Sequence, residues 1–165
     1  MLNICTLGDF VLREKGKKVE QFDHELRELV DLMFETMGSA DGIGLAAPQI
    51  GLSKRIFVVD TRNPKERFVF INPQIIETCE KQVYYEEGCL SIPGMYADVL
   101  RAEEVTVLAQ DIDGKTFTVK ADGLLARVIQ HEYDHLNGIL FIDRLDKESR
   151  DKLVSAYEKL TKTGG

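Results

Sequence analysis

The chain is short of the features that mark nucleic-acid and membrane proteins. Its 21 lysines and arginines are outnumbered by 28 aspartates and glutamates, net -7, which removes a polyanion-binding surface as its main purpose and DNA as a partner. No apolar run approaches the roughly 18 residues that cross a bilayer, and residues 1–9 lack the basic and apolar regions of a secretory leader. A cytoplasmic protein with no membrane partner is expected. Cysteine is scarce: Cys5, Cys79 and Cys89 form no metal-finger spacing and leave one over from any single disulfide, so reduced thiols are expected. Repeats, low-complexity tracts and linkers are absent, and 165 residues read as one domain, 1–165, long enough to bury a sizeable core.

Histidine is also rare, yet two of the three, His131 and His135, lie four apart in residues 123–138. This stretch reads as a helix carrying HExxH. At 3.6 residues per turn Arg127, Gln130, Asp134 and Asn137 share a polar face, which leaves the opposite side for the core. Leu124, Val128, His131 and His135 continue an inward stripe, with Leu125, Ile129, Glu132 and Leu136 beside it. Histidine and glutamate are costly to bury unpaired. Two imidazoles at i and i+4 can present ring nitrogens to one divalent ion, with the glutamate near its open position. A catalytic site of that kind wants a third protein ligand from elsewhere in the chain.

Residues 1–21 read as irregular, with a basic cluster at Lys15, Lys17 and Lys18. Residues 22–37 read as an amphipathic helix capped by Asp23, with Leu26, Val30, Met33 and Met37 on one stripe. Residues 41–51 break that pattern with small residues that allow close backbone approach, and Gln49 is the one side chain there with both a donor and an acceptor. No Gly-Lys-Ser/Thr follows, so this is not a phosphate loop. Strands are expected over 55–60, 67–72 and 82–86. Residues 86–94 read as a turn around Cys89, and Asp113-Gly114 joins strands 105–110 and 116–120 as a hairpin. Gly138 ends the HExxH helix and 139–142 reads as extended. Residues 146–162 form a last helix, capped by Asp146, with Leu153, Tyr157 and Leu160 on one stripe.

Three segments stand together: Gly42-Ile43-Gly44-Leu45-Ala46-Ala47-Pro48-Gln49, Glu87-Gly88-Cys89-Leu90-Ser91 and His131-Glu132-Tyr133-Asp134-His135. In order and content they resemble the GxGxAAxQ, EGCxS and HExxH motifs of the peptide deformylases. The resemblance implies an α+β fold with antiparallel sheets packed around a central HExxH helix, followed by a C-terminal helix. It also implies a hydrolase that takes the formyl group from the N-terminal formyl-methionine of new polypeptides and releases formate. Carried over residue by residue, Cys89, His131 and His135 are the metal ligands, with a water as the fourth. Fe2+ is the usual native ion, and Zn2+ or Ni2+ can replace it. Glu132 is the proton carrier, and the Gln49 amide and the Leu90 backbone N–H face the oxyanion.

The same resemblance lays the peptide substrate along Ile43, Gly44 and Leu45 on one side and Tyr85, Glu87 and Gly88 on the other, by main-chain pairing. Ile43, Leu124 and Val128 are the candidates for the methionine pocket. Glu87 and Arg101 correspond to a structural ion pair. Pro48 stands where some members have Thr, and Tyr96 where some have Arg. In related enzymes a C-terminal helix docks on the ribosome. Here residues 146–165 carry five basic against four acidic residues, net +1 against -8 for the rest, so any ribosome contact should be weak. Two other readings compete. An HExxH zinc endopeptidase would take a third ligand downstream, but no His or Cys follows His135. A noncatalytic module with a structural metal would need His24 or Cys79 to close a four-ligand set.

Overall fold

The structure, a computed structural model, describes residues 2–164. The first long element, α1 (His24–Ser39), begins where the Asp23 carboxylate accepts the Leu26 N–H at 3.0 Å, which satisfies one of the orphan donors of a helix start. Its stripe of Leu26, Val30, Met33 and Met37 is buried. Five antiparallel strands follow the order β1-β2-β3-β6-β7, namely β1 (Gly44–Ala46), β2 (Ile56–Asp60), β3 (Arg67–Thr78), β6 (Glu104–Gln110) and β7 (Thr116–Asp122). Two further strands, β4 (Gln82–Cys89) and β5 (Ile92–Ala102), form a separate ribbon.

β2 shows why the sheet needs cover on both faces. Ile56 and Val58 point into the cluster with α1, whereas Phe57 and Val59 point into the cluster with α2 (Gly123–Leu136), as a period of two requires. The helix α2 therefore lies against the sheet on one side through Ala126, Ile129 and Leu136. Its other side meets the ribbon. A third cluster joins β5, the N-terminal segment and the C-terminal helix α3 (Lys147–Gly164) through Ile92, Val99, Leu12, Leu153 and Tyr157. The α+β architecture around a central HExxH helix is the one expected.

Several local expectations change. The turn anticipated over 86–94 is only its middle: β4 runs to Cys89 and β5 occupies 92–102, so Leu90 and Ser91 alone connect the strands. The strand at 67–72 continues to Thr78. Asn72 sits there at φ 51°, bonded to both the N–H and C=O of Val19 at 2.8 Å, where the register with β6 shifts. Such a bulge is where a strand accepts a proline, here Pro73. The glycine-rich segment contains β1 and then a 3-10 turn, Ala47–Ile50, and the piece expected to be extended over 139–142 gives way to a 3-10 turn, Phe141–Arg144.

The largest correction concerns the polar side of α2. Arg127 and Asp134 are buried, Gln130 donates to the Ala102 carbonyl at 2.8 Å, and Asn137 accepts from Arg55 at 3.1 Å. That side faces the ribbon and its flanking chain. Leu124, expected inward, is half exposed. On α3, Leu153 and Tyr157 are buried as expected but Leu160 is 48% exposed.

Gly138 stops α2 at φ 74°, and a Cβ there would lie 2.5 Å from the Arg13 carbonyl oxygen. Gly138→Ala should therefore lose at least the roughly 1–3 kcal/mol that a left-handed backbone costs a side chain. Urea unfolding would measure it. An unchanged midpoint would show that the 13–138 contact is free to open.

Candidate active site

The first motif ends in the 3-10 turn that carries Gln49, the second is the end of β4 and the two-residue connection after it, and the third is one face of α2. Their glycines lie where the motifs touch. A Cβ on Gly44 would come within 2.6 Å of Glu132 Oε2 and 2.8 Å of Val128 Cγ1, and one on Gly42 within 2.9 Å of Leu90 Cδ1. Gly88 gives the same room to the Tyr96 ring, at 2.6 Å. A Cβ at any of these positions would force a neighbouring side chain to shift, between motifs at Gly42 and Gly44 and within the ribbon at Gly88.

The ligand-type atoms of Cys89, His131 and His135 all lie within 4.8 Å of one another, and they form the one such group of three among the described residues. His135 Nε2 is 3.3 Å from Cys89 Sγ. His131 Nδ1 is 2.8 Å from Glu87 Oε1. A carboxylate can only accept there, so Nδ1 carries the proton and Nε2 is left for an ion. His24 is exposed and paired with Glu28, and Cys79 takes the Glu104 N–H at 3.2 Å, so neither closes a fourth position.

Behind the donors lies a buried charge network. Glu87 holds Arg101 through two bonds of 2.5 and 2.9 Å, and Arg127 at 2.6 Å. Arg101 continues to Asp134 at 2.9 Å, and Asp134 to Arg144 at 2.7 Å. Arg127 also donates to the carbonyls of Val99 and Val83 at 2.9 and 2.7 Å. Burial pushes the Glu87 carboxyl up, but the bonds from His131 and Arg101 outweigh it and hold the group at about 2. Arg127 and Asp134 belong to the site's scaffold although they read as a solvated face. The signal available was charge matching, since two guanidinium groups and two carboxylates on three segments can neutralise one another.

Burial works against a charged ring in both histidines. Around His131 the Cys89 sulfur, Glu132 and Glu87 overcome it and raise the pKa, whereas nothing offsets it at His135, whose value falls. Burial also pushes Glu132 up to about 7, against the pull of His131 and Arg101. Glu132 Oε1 and His135 Nδ1 are buried without a hydrogen-bond partner. A thiol, two imidazoles and surrounding carboxylates make a donor set that favours positive charge at its centre, and one that fits a first-row divalent ion.

Above this group opens a cavity of about 480 Å³. Ile43, Gly44, Gln49, Glu87, Gly88, Leu90, Leu124, Val128 and Glu132 line it, while Leu45 and Tyr85 do not. Leu45 is fully buried beneath, and Tyr85 is exposed with its ring 5.7 Å from the Arg127 guanidinium carbon.

A model of the polypeptide deformylase family matches residues 1–151. The chain belongs to that family. It is 50% identical over 164 residues to a peptide deformylase of Acidobacterium capsulatum, covering 98% of this chain and 96% of that protein. It is 49% identical over 163 residues to one of Chromobacterium violaceum, covering 98% and 97%. Among solved structures, a peptide deformylase from Legionella pneumophila superposes with a TM-score of 0.93 at 45% identity over 99% of this chain and 97% of that one. One from Synechococcus elongatus, in complex with actinonin, gives 0.90 at 47% identity over 95% and 86%. Polypeptide deformylases are enzymes that remove the N-terminal formyl group from nascent peptides, and this chain is an enzyme of that kind. The endopeptidase and structural-metal readings fall with that result.

Glu87→Gln should cost about 3–5 kcal/mol at neutral pH, because Arg101 and Arg127 would stay buried without their shared countercharge. The folded value of about 2 lies below the ordinary 4.5. The ionised form's contribution is therefore complete above the unfolded pKa and lost as pH falls from there towards the folded one. Urea unfolding across that range should show the gap between wild type and Glu87→Gln narrowing. A gap constant with pH would remove Glu87 as the network's anchor.

Proposed function

We propose that Cys89, His131 and His135 hold one divalent cation, Fe2+ in the cell with Zn2+ or Ni2+ as substitutes, and that the formyl group is hydrolysed beside it. The observation that carries this reading is the gathering of three ligand atoms at the base of a cavity whose wall includes Glu132 and Gln49. An ion held there lowers the pKa of a coordinated water towards 7 and polarises the formyl carbonyl.

The remaining roles follow from the side chains. Glu132, pushed up to about 7, suits a group that takes the proton from the attacking water and then delivers it to the leaving amine at neutral pH. Gln49 Nε2–H and the Leu90 N–H, the latter in the short connection between β4 and β5, stabilise the oxygen that becomes negative. The peptide lies extended between β1 and β4, each of which has a strand partner on one side only. The register of β1 turns Leu45 towards Val58, and the Ile43 carbonyl accepts from Asp60 N. Gly44 therefore offers its backbone to the cavity, facing Gly88 across it. Ile43, Leu124 and Val128 form the apolar wall for the methionine side chain. We also propose action in the cytoplasm as one domain, on chains leaving the ribosome. No helix among the described residues is long and apolar enough to cross a membrane.

Cys89→Ala, His131→Ala and His135→Ala should each lose metal and formate release from formyl-Met-Ala together, while Cys5→Ala and Cys79→Ala keep both. Glu132→Gln should keep the metal and lose about 10²–10⁴ in turnover. Metal analysis after anaerobic purification decides between this and a site elsewhere, since full occupancy in Cys89→Ala would end the assignment.

Iron-loaded protein should inactivate in air and recover on nickel exchange for as long as the Cys89 thiol stays reduced, because the ferrous ion at an open site is oxidisable and Ni2+ can take its place. Equal lifetimes with and without oxygen would argue against iron.

Ribosome binding through residues 146–165 should be weak and salt-sensitive. Two of its cations, Arg150 and Lys152, are paired with Asp143 and Glu148. Lys159→Glu with Lys162→Glu should reduce cosedimentation and leave dipeptide turnover unchanged. Binding indifferent to salt and to both substitutions would exclude this helix.

A further inference from the structure

Ser91 closes the second motif and takes no part in the chemistry above, yet it is fully buried and bonded through every polar group that it has in that segment. Its hydroxyl accepts from Gln49 Nε2 at 3.2 Å, its N–H donates to Cys89 Sγ at 3.4 Å, and its carbonyl accepts from Leu7 N–H at 2.9 Å. On the far side of the same amide, Gln49 Oε1 accepts from Ala46 N–H at 2.9 Å. The Gln49 backbone is tied in turn, because its carbonyl accepts from Cys5 N–H at 2.7 Å. Cys5 and Leu7, two apart on one extended segment, thus hold the two loops that carry Gln49 and Ser91 at a fixed separation.

An amide has two N–H groups. With one committed to Ser91 Oγ, the other donates over a long 3.6 Å contact to Cys89 Sγ, and so points to the side of the ligand group and the cavity. Without the Ser91 acceptor only the Ala46 bond and the long contact to Cys89 Sγ would hold the amide plane, and the N–H on the cavity side could swing out of line. Preorganised donors matter because a misdirected one must be reoriented during the reaction.

We propose that Ser91 is a positioning residue for the oxyanion donor: its hydroxyl fixes the Gln49 amide so that one N–H is aimed at the formyl oxygen. The proposal rests on the assignment of Gln49 as that donor. In this account the Ser91 side chain touches neither substrate nor ion and acts only through Gln49.

A double-mutant cycle tests it, with formate release from formyl-Met-Ala, metal content and thermal midpoint measured on each nickel-loaded variant. Ser91→Ala should lower kcat about tenfold, a fraction of the 10²–10³ expected for removing the donor itself, with KM and bound metal unchanged. In the Gln49→Ala background the same substitution should change nothing further, because the residue it serves is gone. Ser91→Thr, which keeps the hydroxyl, should restore most of the rate. Should Ser91→Ala fail to fold, Ser91→Cys replaces it in the cycle, since the thiol keeps the shape but accepts weakly. Losses that multiply independently in the double variant, an unchanged kcat, or a fall in rate that tracks loss of metal would each overturn the positioning role. A Gln49→Ala enzyme with near wild-type kcat would instead remove the donor assignment, and the role of Ser91 with it.

Discussion

The structure depends on a carboxylate withdrawn from water. Glu87 alone would be forced neutral by its surroundings, and Arg101 and Arg127 alone would be costly to bury. Together with Asp134 they make a set spread over three segments, with Glu87 on β4, Arg101 on β5, and Arg127 and Asp134 on α2. The ribbon is held to α2 mainly by this set, because its other face is open to solvent, with Tyr84, Tyr96 and Leu100 exposed. Glu87 also orients the His131 ring and stands two residues before Cys89. One ionised group thus fixes the angle of one candidate ligand and the position of another, and the ribbon cannot shift on the helix without disturbing both.

Much of this was legible in the residues. The α1 stripe, the Asp23 and Asp146 caps, the Asp113-Gly114 hairpin and the Gly138 stop depend on neighbours within a few positions, and each is found. β5 was not legible because its burial alternates while its polarity does not: the inward positions include Arg101 beside Val99, and the outward ones include Tyr96 and Leu100. A strand with a charge on its inner face and apolar residues on its outer one shows no polar–apolar alternation to read. The polar side of α2 failed for the opposite reason. Helical periodicity says which residues share a face, but not whether that face meets water or opposite charges brought by the ribbon from 33 and 40 positions away.

The site itself shows why its motifs contain glycine at fixed places. Gly44 stands where the main chain passes the Glu132 carboxylate, Gly42 where it passes Leu90, and Gly88 where the Tyr96 ring crosses the ribbon. In the first motif, Gly42 and Gly44 make the contacts with the neighbouring motifs and Gln49, further along, lines the cavity. Sequence alone shows the glycines as a turn, and their tertiary partners supply the rest of the reason.

β1 has a further consequence for the protein's own solubility. A strand with one partner is a template on which another chain can add, and long open edges lead to aggregates. Here Ala46, which points away from β2, has its N–H taken by Gln49 Oε1, and the strand ends in a turn that contains Pro48. Only Gly44 is left presenting its backbone outward, at the base of a cleft. The open part of this edge is one residue long, too short for a strand of a second copy to pair along and seed a growing sheet.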